Sequence, residues 1–310
     1  HYGSNPVAVA KSFSAAGAAW LHLVDLDGAK NPQNRQISLI ANIIKSSGLS
    51  VQTGGGIRSG DDVAALMNAG AARIVLECDP RLVTLFERSF PTVSCIPVED
   101  PASPMTLDAS IDYSVAMGSL GCWLWKEYCE APPVAYIKAD NELRQVLRQR
   151  YLKGGTPRLV GLAWKSPLGK KAQAKSLMLE DLAPLASMEN TKFIDLQYGD
   201  TEDDREWIRD HLGVEIFHDN YIDQWTDIDG FAAQISALDG VITVSNSTAH
   251  LAGALGVKTA VILPLGAQWK WGGSGETSVW YPNVSLLRRV GDLGPVPQIK
   301  AALSVLTREP

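Results

Sequence analysis

Apolar and polar positions along the chain alternate between two rhythms. Short, near-continuous apolar runs at 20–25, 49–53, 73–77 and 93–97 read as strands covered on both faces. Between them lie segments with apolar residues at helical spacing, at 8–16, 35–46, 59–70 and 80–90. In the second of these Ile37, Ile40, Ile43 and Ile44 share one face, and the third starts behind a capping Ser59. The stretch 99–133 is less regular and carries an apolar, tryptophan-bearing segment at 117–125. A charged helix is predicted over 141–152, followed by the Gly/Pro-containing linker 153–157. The rhythm then restarts, with strands at 159–164, 192–197, 214–217, 240–244 and 258–263, and helices at 179–187, 203–212, 229–238 and 248–255. Strand–helix alternation with short loops predicts parallel sheets with right-handed crossovers. The expected fold is α/β with two Rossmann-like parallel-sheet domains, 1–153 and 154–310.

Composition narrows what these domains do. The chain has 310 residues with 28 Lys plus Arg against 34 Asp plus Glu, a net charge of -6, which argues against a broad nucleic-acid surface. No apolar run approaches the ~20 residues of a membrane span. The four cysteines, Cys78, Cys95, Cys122 and Cys129, have neither CxxC spacing nor a nearby histidine, so neither a zinc site nor a disulfide scaffold is expected. Reduced thiols fit a cytoplasmic protein, and no metal or cofactor is expected. The chain starts at His1 without a Met or a leader segment, and reads as a fragment or a processed product.

Two motifs carry candidate chemistry. In Gly54-Gly-Gly-Ile-Arg58, a glycine loop joins a strand to a helix start, where backbone N–H groups and the helix dipole suit a phosphate; a plain tight turn explains it equally. With its flanks, Gly17 to Ala29 and Val51 to Ser59, the loop resembles the histidine-biosynthesis isomerase that opens the ribose of an aminoimidazole carboxamide ribotide. The resemblance covers about residues 3–74 and implies a (βα)8-barrel-derived βαβα segment, its second to fourth strands, with Gly54, Gly55, Gly56 and Arg58 at a phosphate. The family's catalytic aspartates, on the first and fifth strands, have no counterpart, and Asp25 and Asp27 belong to the second-strand motif. Isomerase activity is therefore the least favoured of three functional readings.

The second motif runs from Leu238 to Gly256. A buried strand ends at Val244, and the polar loop Ser245-Asn-Ser-Thr248 leads into a helix of small residues, at the end of a parallel strand where open α/β sheets bind ligands. Free N–H groups, the hydroxyls of Ser247 and Thr248, and His250 in the first turn suit a diphosphate. This motif, together with Arg73 to Arg81, Gly161 to Lys165, Lys175-Ser176, Phe193 to Asp200, Asp227 to Ile235, Trp269 to Gly272 and Trp280 to Pro282, resembles GT-B glycosyltransferases of the tetratricopeptide-associated and heptosyltransferase-like group across about 73–290.

That resemblance implies a hybrid first domain, isomerase-like over 1–73 and glycosyltransferase-like over 74–153, before a nucleotide-sugar domain. Lys165, Lys175 and His250 would stabilise the departing diphosphate without a metal. Gln197 and Tyr198 would border the base, and Trp164, Ser245, Asn246, Ser247 and Thr248 would complete the donor site. Trp269, Trp271 and Trp280 either stack on a ligand or form local core. Asp61 and Asp62 are explained by the dipole of their helix, and no general base is assigned. The leading reading is transfer of a sugar from a nucleoside diphosphate sugar to a hydroxyl acceptor; the second is a non-catalytic nucleotide-sugar or phosphate-binding module from a truncated or recombined gene.

Overall fold

The computed structural model describes residues 5–24, 36–54, 74–99, 134–166, 172–266, 269–289, 291 and 294–307. Gly55, Gly56, Arg58, Asp61, Asp62 and the 117–125 segment lie outside them, as does the side chain of Trp269. The chain forms two compact units, one of residues 1–77 and 92–131, the other of 78–91 and 132–310.

In the smaller unit, helix α1 (Pro6–Ala15) starts where Asn5 accepts from the N–H groups of Val7 and Ala8, with Pro6 at the first helical position. Strand β1 (Trp20–Val24) pairs in parallel with β2 (Ser50–Gly54), Trp20 opposite Ser50 and Val24 opposite Gly54. Helix α2 (Ile37–Ser47) crosses between them and stops at Gly48, whose φ of 67° a residue with a side chain rarely adopts. Its predicted isoleucine stripe is its inner face, with Ile40 buried against Leu23, Ile37 and Ile44. β3 (Ile74–Cys78) and β4 (Val93–Pro97) make a second two-stranded sheet.

Two segments assigned to the first domain by sequence, 78–91 and 132–153, pack instead in the larger unit. Helix α3 (Val83–Ser89) buries Leu85 there. Helix α4 (Asn141–Tyr151) buries Leu147 and Tyr151, and its Arg148 donates to the carbonyl of Ala237 at 2.7 Å and pairs with Asp239 at 2.7 Å. The 153–157 linker thus lies inside one unit, because the amphipathic helix preceding it has its apolar partners there.

The larger unit is built on a six-stranded sheet, order β10-β9-β8-β5-β6-β7, whose main ladders are all parallel. Its strands are β5 (Arg158–Ala163), β6 (Thr191–Asp195), β7 (Ile216–Phe217), β8 (Gly240–Val244), β9 (Thr259–Leu263) and β10 (Val284–Arg288). From β5 the chain winds outward through β6 and β7, then returns to β8 on the other side and winds away through β9 and β10. The order therefore reverses between β5 and β8, and the crevice above their carboxyl ends is where such sheets bind ligands. Every residue of β8 and β9 is buried, the consequence of cover on both faces. Val160 and Leu162 point to a core with Ile208, Leu182 and Leu303, while Leu159 and Ala163 point to one with Tyr151, Phe231 and Leu238.

Helices α5 (Glu202–Leu212), α6 (Ile228–Ser236), α7 (Ser247–Ala254) and α8 (Val296–Thr307) cover the faces. The helix expected at 179–187 is a 3-10 segment, Leu179–Ser187, with Pro184 inside it removing a backbone donor. β10 and α8 extend the five-strand unit that the sequence predicts. No helix among the described residues is long and apolar enough to cross a membrane.

Gly161 sits where β5 touches β6 and the α6–β8 connection. A Cβ there falls within 3 Å of side-chain carbons of both Leu196 and Leu238. Gly161→Ala is expected to destabilise the larger unit by about 1–3 kcal/mol through overpacking, read as a lower denaturation midpoint at unchanged slope.

Candidate functional site

The crevice between β5 and β8 is built by the two loops that leave these strands. After Val244, Ser245 accepts a hydrogen bond from the Trp271 indole N–H at 2.8 Å. Asn246 caps α7, its Oδ1 accepting from the N–H of Ala249 at 3.2 Å and from the hydroxyl of Thr243 at 3.1 Å. Its Nδ2 donates to the carbonyl of Lys165 at 3.4 Å, tying the β8 loop to the β5 loop. Thr248 is fully buried, and among the described residues its hydroxyl has no hydrogen-bond partner. A buried, unsatisfied hydroxyl in the first turn of a helix is costly unless something outside the protein satisfies it.

His250, one turn into α7, is clamped by residues from the far end of the chain. Trp271 lies parallel to its ring, centroids 4.5 Å apart, and the hydroxyl of Tyr281 is 2.9 Å from its Nδ1. Tyr281 approaches this closely because Gly253 has no side chain; a Cβ there meets the tyrosine ring at 2.5 Å. Burial, then the positive charges of Lys270 and Lys175, push the His250 pKa down to about 4. Lys270 is itself pushed down, first by burial and then by Lys175. Among the described residues no acidic side chain pairs with either lysine. Close by in sequence to Lys175, the carbonyl of Ser176 accepts from Arg289 at 3.2 Å, and the buried Nε of Arg289 has no hydrogen-bond partner among the described residues. Uncompensated positive charge thus gathers at the N-terminus of α7, where the helix dipole has the same sign.

A cleft of about 680 Å³ opens beside this crevice, over the ends of β5, β6 and β7, lined among others by Lys165, Gln197, Tyr198, His218, Asp223 and Trp225. Gln197 is buried and accepts from the backbone N–H of Lys165 at 2.8 Å. Burial raises the Tyr198 pKa and Ser247, beside its hydroxyl, partly offsets this, which sets the cleft next to the start of α7, while the Tyr198 ring lies 5.7 Å from that of Trp225. Arg81 stacks 5.2 Å over Trp225 and donates to its carbonyl at 2.7 Å.

The sequence-predicted residues divide by what they touch. Ser245, Asn246, Ser247, Thr248, His250 and Lys175 gather at α7, and Gln197 and Tyr198 line the adjoining cleft. Trp164 is buried, its indole N–H donating to Asp204 at 2.9 Å. Lys165 pairs with the same carboxylate at 2.5 Å, so it reaches the cleft already neutralised. Gly54 ends β2 in the smaller unit, and the rest of its loop lies outside the described residues. Four contributors are absent from the sequence reading: Lys270, which stands inside an aromatic Trp-Lys-Trp run; Arg289; and the pair Asp195 and His218. A carboxylate in the otherwise apolar run Phe193-Ile-Asp-Leu196 was the available signal for that pair.

Fold and site define a doubly wound α/β unit with a cationic, partly unsatisfied crevice at its switch point, preceded by a second α/β unit. The family model described as Histidine biosynthesis protein matches residues 1–82, which include the stretch of about 3–74 for which the isomerase resemblance is predicted. A 1-(5-phosphoribosyl)-5-((5-phosphoribosylamino)methylideneamino) imidazole-4-carboxamide isomerase of Xanthomonas oryzae pv. oryzae (strain PXO99A) is 50% identical over 76 residues, 24% of this chain and 31% of that protein. Its counterpart in Cronobacter sakazakii (strain ATCC BAA-894) is 52% identical over 75 residues, again 24% and 31%. The chain thus spans about a third of the length of the curated relatives it matches. Among solved structures, it is similar to a glycosyl transferase family 9 protein from Veillonella parvula DSM 2008, with a TM-score of 0.42 and 12% identity over 98% of this chain and 95% of that one. It is also similar to the E. coli ADP-heptose lps heptosyltransferase II, with a TM-score of 0.39 and 12% identity over 97% of this chain and 80% of that one.

Proposed function

We propose that the larger unit binds a nucleoside diphosphate sugar and that the protein transfers the sugar to a hydroxyl acceptor. The observation that carries this reading is the α7 N-terminus, where a neutral histidine stands beside a buried Thr248 hydroxyl and two lysines that have no hydrogen-bond or acidic partner among the described residues. A diphosphate satisfies all of these at once: it accepts from the hydroxyl and the helix N–H groups, and it neutralises Lys175 and Lys270. As the sugar–phosphate bond breaks, charge grows on the leaving diphosphate, and the same groups stabilise it more strongly than they stabilise the intact donor. The Ser247–Tyr198 link points the nucleoside toward the cleft over β6 and β7.

Calorimetry with UDP, GDP and ADP tests the binding step. A bound diphosphate brings negative charge to His250 and raises its pKa from about 4, so binding takes up protons. Affinity for the preferred nucleotide is therefore expected to rise as pH falls from neutrality toward that value, with proton uptake read from the buffer dependence of the heat. Binding to none of the three nucleotides overturns the reading. The alternative, a donor-binding module without transfer, is supported by the lack of an assigned general base; donor binding without transfer or donor hydrolysis selects it, and turnover excludes it.

A further inference from the structure

His218 and Asp195 form a pair that the proposed chemistry does not use. The carboxylate of Asp195 is fully buried at the end of β6. It accepts from the backbone N–H of Gln197 at 2.9 Å, the hydroxyl of Thr201 at 2.5 Å and the Nδ1 of His218 at 3.0 Å, and Arg205 pairs with it at 3.4 Å. A buried carboxylate so surrounded is acceptor-only, so Nδ1 carries the proton. In the neutral ring Nε2 is then a bare acceptor, and the His218 side chain, 23% exposed, lines the cleft. The arrangement resembles the way second-shell carboxylates fix a histidine's tautomer at functional sites, and no ion is needed for it here.

Position along the sheet says what meets this nitrogen. A diphosphate at α7 lies over β8 and β5. Strands are spaced by about 4.8 Å, so β7 lies roughly 10 Å beyond β5, at the far end of a ligand that crosses β6. Tyr198 and Trp225 supply aromatic faces on the way. We propose that His218 selects the base of the bound nucleotide: its unprotonated Nε2 accepts a hydrogen bond from a ring N–H, which uracil and guanine carry and adenine does not. This inference rests on the donor-binding reading above.

The charged groups facing His218 are Asp195 and Arg205 beneath it, and Lys165, Asp200, Asp204 and Asp223 around the cleft; Lys165 and Asp204 neutralise each other, and neighbouring Asp219 is turned toward Arg150 and Tyr151.

The experiment is a titration of the full chain with UDP and with ADP at about pH 8. The expected result is an approximately tenfold preference for UDP, the worth of one hydrogen bond to a neutral acceptor. His218→Ala is expected to remove the preference by weakening UDP about tenfold while leaving ADP nearly unchanged. His218→Gln, whose amide oxygen reaches toward the position of Nε2, is expected to keep much of the preference. Equal weakening of both nucleotides in His218→Ala, or no change in either, overturns the inference while leaving donor binding intact. Failure of the unsubstituted chain to bind any nucleotide overturns the donor-binding reading instead.

Discussion

Trp271→Ala is expected to destabilise the larger unit by about 3–5 kcal/mol and to abolish nucleotide binding. Trp271 is 2% exposed and joins three elements of the site. Its indole N–H holds Ser245, its ring face covers His250, and its carbonyl accepts from Arg288 at 2.7 Å. Truncation leaves a large cavity, removes the indole hydrogen bond to Ser245 and opens His250 to water, so the burial that holds the histidine neutral is lost. Stability is read by amide exchange at β8 and α7, which reports the larger unit separately from the smaller one. Trp271→Phe separates the contributions. A phenyl ring keeps the cover over His250 and loses only the N–H to Ser245, so a cost near 1 kcal/mol with weakened but measurable binding is expected. Equal damage from the two substitutions would show that the indole hydrogen bond, rather than the ring packing, governs the site.

The second large effect is on affinity alone. Lys175→Ala with Lys270→Ala is expected to weaken nucleoside diphosphate binding by at least ~100-fold and to flatten its dependence on salt. A charge-assisted hydrogen bond is worth about 1.5–3 kcal/mol, and each lysine supplies one. The two substitutions are not additive, because each lysine disfavours the charge of the other. Removing Lys175 alone relieves Lys270, which then stays protonated more readily and compensates in part. Both side chains are partly exposed, so stability is expected to be unchanged or slightly improved as repulsion disappears. Single substitutions whose costs simply add up to that of the pair would contradict a shared anion site.

What was legible in the sequence was local. β5, β8 and β9 stand out as apolar runs because parallel strands covered on both faces need little polar surface, and the isoleucine stripe of α2 marks its inner face. Ser245 to Thr248 was recognisable because a buried strand, a capping loop and a small-residue helix follow one another without interruption. β7, although only two residues long, falls within the strand predicted at 214–217, whereas β10 at the sheet edge carries serine and arginine and yields no clear run. Pairings across long separations were not legible. Nothing near Lys165 in sequence announces Asp204, which removes it from the set of free cations, and nothing near His250 announces Trp271 and Tyr281. Asp195 and His218 meet only because β6 and β7 are neighbours. The placement of 78–91 and 132–153 is of the same kind, since a helix's apolar face is visible in sequence but its partner is not.

The central claim is that uncompensated positive charge at the N-terminus of α7 exists to hold a diphosphate. Its most direct measurement is a calorimetric titration of UDP, GDP and ADP at neutral pH and low salt, into the full chain and into Lys175→Ala/Lys270→Ala. Binding of at least one nucleotide to the unsubstituted chain, with proton uptake, and its loss in the double variant is the predicted result. Failure of all three to bind, or binding that the double variant leaves unchanged, would contradict it.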